Sequence, residues 1–326
     1  MQRFKNILFV QTSESNNEAA LERTVALAKN NQACLTVIAI IDEIPPNTKI
    51  LERILSPDDL QTNIVAEHQK QLQELVAPWN KKIEIQIKVL VGIPFLKIIR
   101  EVLGNGHDLV IKAVENCELL DRVFASDDMH LLRKCPCPVW LINQKSPKVY
   151  RRILAAVDVD DYCTAEDLTT RHQLNLQILE MASLLALSEF AELHIVHVWE
   201  AIGEITMRTA FVDVSEKRIL TYVEEERQQH SQNLNKLLAE VMSTLGQSAR
   251  EYLKPQTHLL KGSPRKEISS LAETIQADLV VMGTVARTGI AGYFMGNTAE
   301  TVLNQLDCSV LAIKIAGFIT PIELES

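Results

Sequence analysis

Short, nearly all-apolar runs alternate along this chain with longer stretches in which apolar residues recur at helical spacing. Strands that are apolar at every position are buried on both faces, as in a parallel sheet covered by helices. In the amino-terminal half the pattern predicts strands at 6–11, 34–41, 83–91, 108–112 and 138–143. Helices are predicted between them, near 16–30, 57–78, 94–104 and 127–134. The start of the second helix is marked by Ser56-Pro57-Asp58-Asp59: a capping hydroxyl, a proline at the first helical position and early acids.

The pattern then repeats. Ile7-Leu8-Phe9-Val10 has a counterpart 146 residues on, in Ile153-Leu154-Ala155-Ala156. Residues 33–41 match 191–199 at a separation of 158, so the second copy has gained 12 residues after its first strand. Residues 89–94 match 259–264, and 108–111 match 278–281, both at 170. Cys137-Pro138-Val139 is echoed by Cys308-Ser309-Val310. Five ordered matches establish an internal duplication. The polar stretch 143–148, which contains a proline, reads as the linker. The expectation is two tandem doubly wound α/β domains, 1–145 and 146–326. Each has a mostly parallel five-stranded sheet flanked by helices. In the second copy, Ser215 to Met242 is rich in Glu, Gln and Asn and reads as a helix with a solvated face.

Ligands of such sheets sit beyond the carboxyl ends of the strands, at the topological switch point. The informative residues therefore follow the first and fourth strands of each copy. After the fourth strand of the second copy, residues 283–300 contain Gly283, Gly289, Gly292 and Gly296. Glycines let backbone N–H groups approach a phosphate, and a following helix start supplies further donors. Arg287 adds a positive charge and Thr298 a hydroxyl. A purely structural role also fits: Asn297-Thr298-Ala299-Glu300 has the form of a capping box, and the glycines could serve turns alone. Asp158 ends the first strand of this copy, where a carboxylate can accept from an adenine amino group or a ribose hydroxyl, or hold a cation. Asp160 and Asp161 read as a solvated turn. The equivalent loop of the first copy has no glycine, carries Glu115 and Glu118, and leads into a helix beginning Asp127-Asp128. Those aspartates would repel a phosphate, and Thr12 replaces Asp158, so no nucleotide is expected there.

Composition narrows the classes. A net charge of −9 on 326 residues argues against a general nucleic-acid binder. No apolar run is long enough for a membrane span, and the first strand is too short for a secretory signal. Six cysteines without disulfide-framework spacing fit a reducing cytoplasm. Cys135-Pro136-Cys137 reads as structural. His68, His107 and His130, with Cys117 or Cys135, are the remaining metal-ligand candidates, but their scatter points to surface or core roles instead. No GxxxxGK[ST], no GxGxxG after a first strand and no nucleophile–base arrangement is present, so neither a catalytic residue nor a metal site is assigned.

Several motifs carry a resemblance to a known family: Leu131 to Trp140 (LLRKCPCPVW), Gly283 to Gly289 (GTVARTG), Gly296 to Glu300 (GNTAE) and Thr320 to Leu324 (TPIEL). With them the chain resembles the universal stress protein family over nearly its whole length, in tandem form. The ATP-binding branch of that family carries Gly, two residues, Gly, nine residues, Gly, then Ser or Thr. Gly283 and Gly296 match its first and third glycines, while Ala286 and Asn297 stand at the other two positions. The resemblance implies an adenine-side role for Asp158 and a main-chain contact to adenine near Val198. Met282, Gly283, Arg287, Gly296, Asn297 and Thr298 complete the implied nucleotide-binding set. It also implies ATP or another adenine nucleotide as ligand, with Mg²⁺. The implied role is that of a cytoplasmic stress-response protein, regulatory rather than a dedicated enzyme, with at most weak ATP hydrolysis. The two copies would pack as an internal pseudo-dimer, and the chain could form a homodimer. The alternative is a tandem stress protein whose first copy binds a small apolar ligand or a protein partner instead of a nucleotide.

Overall fold

In the computed structural model, residues 4–12, 18–45, 56–114, 124–162, 164–209, 214–284, 295–315 and 317–324 are described. The chain forms two compact units, Gln2–Lys148 together with Phe318–Ser326, and Val149–Gly317.

The first unit runs β1 (Asn6–Gln11), α1 (Glu18–Asn31), β2 (Cys34–Ile41), α2 (Pro57–Val76), β3 (Ile85–Val91), α3 (Pro94–Asn105), β4 (Leu109–Ala113), α4 (Ser126–Lys134) and β5 (Val139–Ile142). Its strands lie in the order β3-β2-β1-β4-β5, every neighbouring pair parallel. The apolar runs are buried on both sides: Ile7, Leu8, Phe9, Leu109, Val110 and Ile111 are fully inaccessible. Ser56 caps α2 as its sequence suggests, its hydroxyl accepting from the Asp59 N–H at 3.1 Å with Pro57 following. The linker is held by Arg23, whose Nη2 donates to the carbonyls of Pro147 (3.1 Å) and Lys148 (2.6 Å).

The second unit runs β6 (Arg152–Ala156), α5 (Ala165–Glu189), β7 (Glu192–Trp199), α6 (Ile202–Thr209), α7 (Glu216–Thr244), α8 (Gln247–Leu253), β8 (Gln256–Lys261), α9 (Pro264–Thr274), β9 (Leu279–Gly283), α10 (Asn297–Leu303) and β10 (Ser309–Ile313). Its order, β8-β7-β6-β9-β10, is that of the first unit, again parallel throughout. The registers coincide: Val10 pairs with Lys112 in the first unit as Ala156 pairs with Met282 in the second. The duplication inferred from sequence is therefore a duplication of topology. No helix among the described residues is long and apolar enough to cross a membrane.

Three features add to or depart from the sequence expectations. The 12 extra residues of the second copy are absorbed largely by α5, which has 25 residues against 14 in α1. The expected helix at 215–242 is α7, but α6 and α8 flank it. The tail at 318–324, which the sequence placed in the second domain, groups with the first unit. There Arg100 Nε donates to the Glu323 carbonyl at 3.2 Å, and Leu324 lies against Gly104.

In both units a glycine and a proline turn the third strand into its helix. Gly92 (φ +127°) and Gly262 (φ +147°) adopt a region closed to L side chains. Their N–H groups donate back to Ile41 and Trp199. Gly262→Ala is expected to lower the stability of the second unit by about 1–3 kcal/mol, read from the shift of its urea unfolding midpoint.

Candidate functional site

With β6 and β9 adjacent, the crossovers that leave them cover opposite faces, and a crevice opens past their carboxyl ends. On the β6 side stands Asp158. Its backbone is clasped by Asn175 of α5: the Asp158 N–H donates to Asn175 Oδ1 at 3.1 Å, and Asn175 Nδ2 donates to the Asp158 carbonyl at 2.6 Å. Asp158 Oδ1 accepts from the Asp160 N–H at 3.1 Å, while Arg171 Nη1 donates to the Asp160 carbonyl at 2.7 Å and stands 3.4 Å from Asp158 Oδ2. The turn is thus held by its main chain and by the Asp158 carboxylate, whose side chain is nonetheless 60% exposed.

Behind this turn lies a histidine pair. His197 Nε2 is 3.0 Å from His230 Nδ1, and His197 Nδ1 faces the Val157 carbonyl (3.3 Å) and the Val159 N–H (3.4 Å). Burial holds the His197 pKa below the usual histidine value; the carboxylates of Asp158 and Asp160 oppose that shift, and His230 adds to it. A second pair, His194 and His258, spans β7 and β8 at 3.0 Å, and burial likewise lowers His258.

On the β9 side, a Cβ added to Gly283 would lie 2.6 Å from Leu174 Cδ2, so this glycine is what lets α5 approach β9. The Gly296 N–H donates to the Thr284 carbonyl at 3.1 Å and closes the neck of the loop between them. Residues 285–294 of that loop, including Ala286 and Arg287, lie outside the described residues. Gly296 is the N-cap of α10, so Asn297 and Thr298 open the helix rather than cap it. The capping role open to Asn297 from sequence is therefore not the one it takes.

These elements enclose a cavity of about 860 Å³ lined by Asp158, Val198, Met282, Gly283, Gly296, Asn297 and Thr298, seven of the eight residues singled out from sequence. Its size falls in the range of small-molecule sites. Sequence reasoning missed the wall supplied by α5, namely Arg171, Leu174 and Asn175, and missed Thr284. Asn175 had a signal: it is a polar residue on the apolar stripe formed by Leu174, Ile178, Leu179 and Ala182. Thr284 is 1% exposed, and its hydroxyl has no hydrogen-bond partner among the described residues. A buried hydroxyl left unpaired costs stability, so its place beside a cavity points to a partner supplied from within it.

The first unit handles the same position differently. Lys112 stands in the register of Met282, and its Nζ donates to Asp128 Oδ1 at 2.6 Å; both residues are buried. Asp128 Oδ2 accepts from the Ala125 N–H at 3.2 Å. A carboxylate of the chain itself thus occupies the start of α4, and a lysine neutralises it. The sequence pointed to the aspartates and missed the lysine, whose signal was a lone charge in an apolar strand.

The other candidates from sequence make unrelated contacts. His68 Nδ1 lies 2.9 Å from the Ile64 carbonyl, His107 meets Glu101, and His130 stacks on Phe95 at 4.7 Å. Among the described residues no group of three His, Cys, Asp or Glu side chains is gathered to hold a metal ion. Cys117 lies outside them. Cys135 and Cys137 are buried with sulfurs 3.6 Å apart; the Cys135 contact and burial raise the Cys137 pKa, which disfavours thiolate chemistry.

The profile of the universal stress protein family matches residues 3–143 and 150–314. The chain is 32% identical to universal stress protein E of Escherichia coli K12, over 100% of this chain and 98% of that protein. Among solved structures, a functionally unknown protein from Pseudomonas aeruginosa PAO1 superposes with a TM-score of 0.67 at 24% identity, covering 96% of this chain and 93% of that one. A universal stress protein from Archaeoglobus fulgidus DSM 4304 gives a TM-score of 0.61 at 16% identity, covering 95% and 98%.

Two outcomes are expected. Asp128→Ala strands a buried lysine and should destabilise the first unit by about 3–5 kcal/mol, whereas the Lys112→Met, Asp128→Ala double variant should recover most of that loss in urea unfolding. Because burial lowers the pKa of His197 and His258, the unfolded second unit takes up protons that the folded one resists. Its stability is therefore complete above about pH 6.5, the ordinary histidine value, and declines as pH falls below it. His197→Gln should shrink the difference between unfolding midpoints at mildly alkaline and mildly acidic pH.

Proposed function

The chain belongs to the universal stress protein family, and we propose that its second domain binds an adenine nucleotide in the cavity between β6 and β9. The role is regulatory, within a cytoplasmic stress response, rather than that of a dedicated enzyme. The observation that carries this proposal is the convergence of seven residues, chosen from sequence alone, on one cavity at the switch point. Asp158, its main chain clasped by Asn175, can accept from an adenine amino group or a ribose hydroxyl. Val198 supplies the wall against which the base lies, and Gly296, Asn297 and Thr298 face the phosphate end. Any Mg²⁺ travels chiefly with the phosphates, as this ion usually does. No residue is assigned as a base, so ATP hydrolysis, if any, is slow. The first domain takes no nucleotide, because the Lys112–Asp128 pair already fills the equivalent position.

Calorimetry on protein freed of endogenous nucleotide should give saturable binding of an adenine nucleotide. Asp158→Asn should weaken it about ten-fold or more, the worth of a hydrogen bond to a charged group. Gly296→Asp, which adds a side chain and a negative charge, should abolish it, and Thr12→Ala in the first domain should leave it unchanged. An absence of heat with both ATP and AMP, with and without Mg²⁺, would sink the proposal.

A further inference from the structure

The charges around the cavity do not suit a highly charged ligand. Among the described lining residues, Asp158, Asp160, Asp167 and Glu200 carry carboxylates and Arg171 is the one Lys or Arg. Arg171 is turned to the protein's own groups: it donates to the Asp160 carbonyl at 2.7 Å and stands 3.4 Å from Asp158 Oδ2. The Gly296 N–H, a backbone donor that a phosphate could use, is engaged by the Thr284 carbonyl at 3.1 Å. The rest of the wall joins apolar residues, among them Leu174, Ile178, Val198, Ile268, Met282 and Met295, to uncharged polar ones such as Asn297 and Thr298. Thr284 adds a buried hydroxyl without a hydrogen-bond partner among the described residues, which a polar group of a ligand can satisfy.

Resting on the adenine reading above, we infer that the cavity selects its ligand by low charge: it takes adenosine or its monophosphate in preference to ATP, with the Thr284 hydroxyl bonding the nucleoside part. Each further phosphate brings at least about one more negative charge. Against a lining whose described side chains are net acidic, that charge is repelled. Adenosine and the monophosphate keep the apolar contacts and the Asp158 hydrogen bond while avoiding most of that repulsion.

The test is calorimetric titration of the full chain with adenosine, AMP, ADP and ATP, without and with Mg²⁺, at low and at high salt. Adenosine or AMP should bind tightest, with ATP weaker by at least about ten-fold in low salt. Because screening weakens repulsion between charges that water reaches, the gap should narrow at high salt. Asp160→Asn combined with Glu200→Gln should tighten ATP binding more than it changes adenosine binding. Thr284→Val should weaken adenosine and AMP alike by roughly three- to ten-fold, the worth of one neutral hydrogen bond. ATP binding as tightly as AMP in the unaltered protein, at low salt and without Mg²⁺, would overturn selection by charge and leave the adenine reading standing. Binding of none of the four would overturn both.

Discussion

At the switch point of a parallel sheet, two neighbouring strands send their crossovers to opposite faces, and neither helix covers the gap that opens at the carboxyl edge. The two units of this protein differ in how that gap is filled. The two units share strand order and register, so they present the same gap twice. In the first, Lys112 reaches from β4 to Asp128 at the start of α4, and a buried ion pair stands at the edge. In the second, Met282 stands at the register of the lysine, and a cavity remains.

The difference is sustained by the helix that follows the first strand. In the second unit α5 is lengthened, and its added turns carry Arg171 and Asn175 over the end of β6. Gly283 permits this by leaving room for Leu174. The clasp from Asn175 fixes the main chain of Asp158, and the carboxylate, which accepts from the Asp160 N–H and faces Arg171, stays 60% exposed. A histidine pair supports the same turn from beneath, and burial holds the His197 imidazole below the usual histidine value.

Duplication followed by divergence at single positions explains how one fold carries two kinds of edge. Replacing the apolar Met282 by lysine is affordable only where a carboxylate stands opposite to satisfy it, because a buried charge without a partner is strongly destabilising. The first unit supplies Asp128 at the third position of α4, whereas the third position of α10 in the second unit is Ala299.

Much of this was legible from the chain alone. Apolar runs at fixed intervals dictate buried parallel strands, and their recurrence dictates two domains of the same topology. Glycines and a strand-end aspartate mark the ligand edge, because these signals are local: each depends on residues adjacent along the sequence. What only the tertiary structure decided are the pairings across long separations. Lys112 with Asp128, Asn175 with the backbone of Asp158, Gly283 with Leu174, and the return of residues 318–324 to the first unit all join segments whose proximity no local pattern encodes. The sequence determined where a ligand edge must lie, since strand order follows from periodicity and crossover handedness. Whether that edge is closed by the protein's own charges or left open as a cavity depended on side chains meeting across the crevice, and packing alone brings them together.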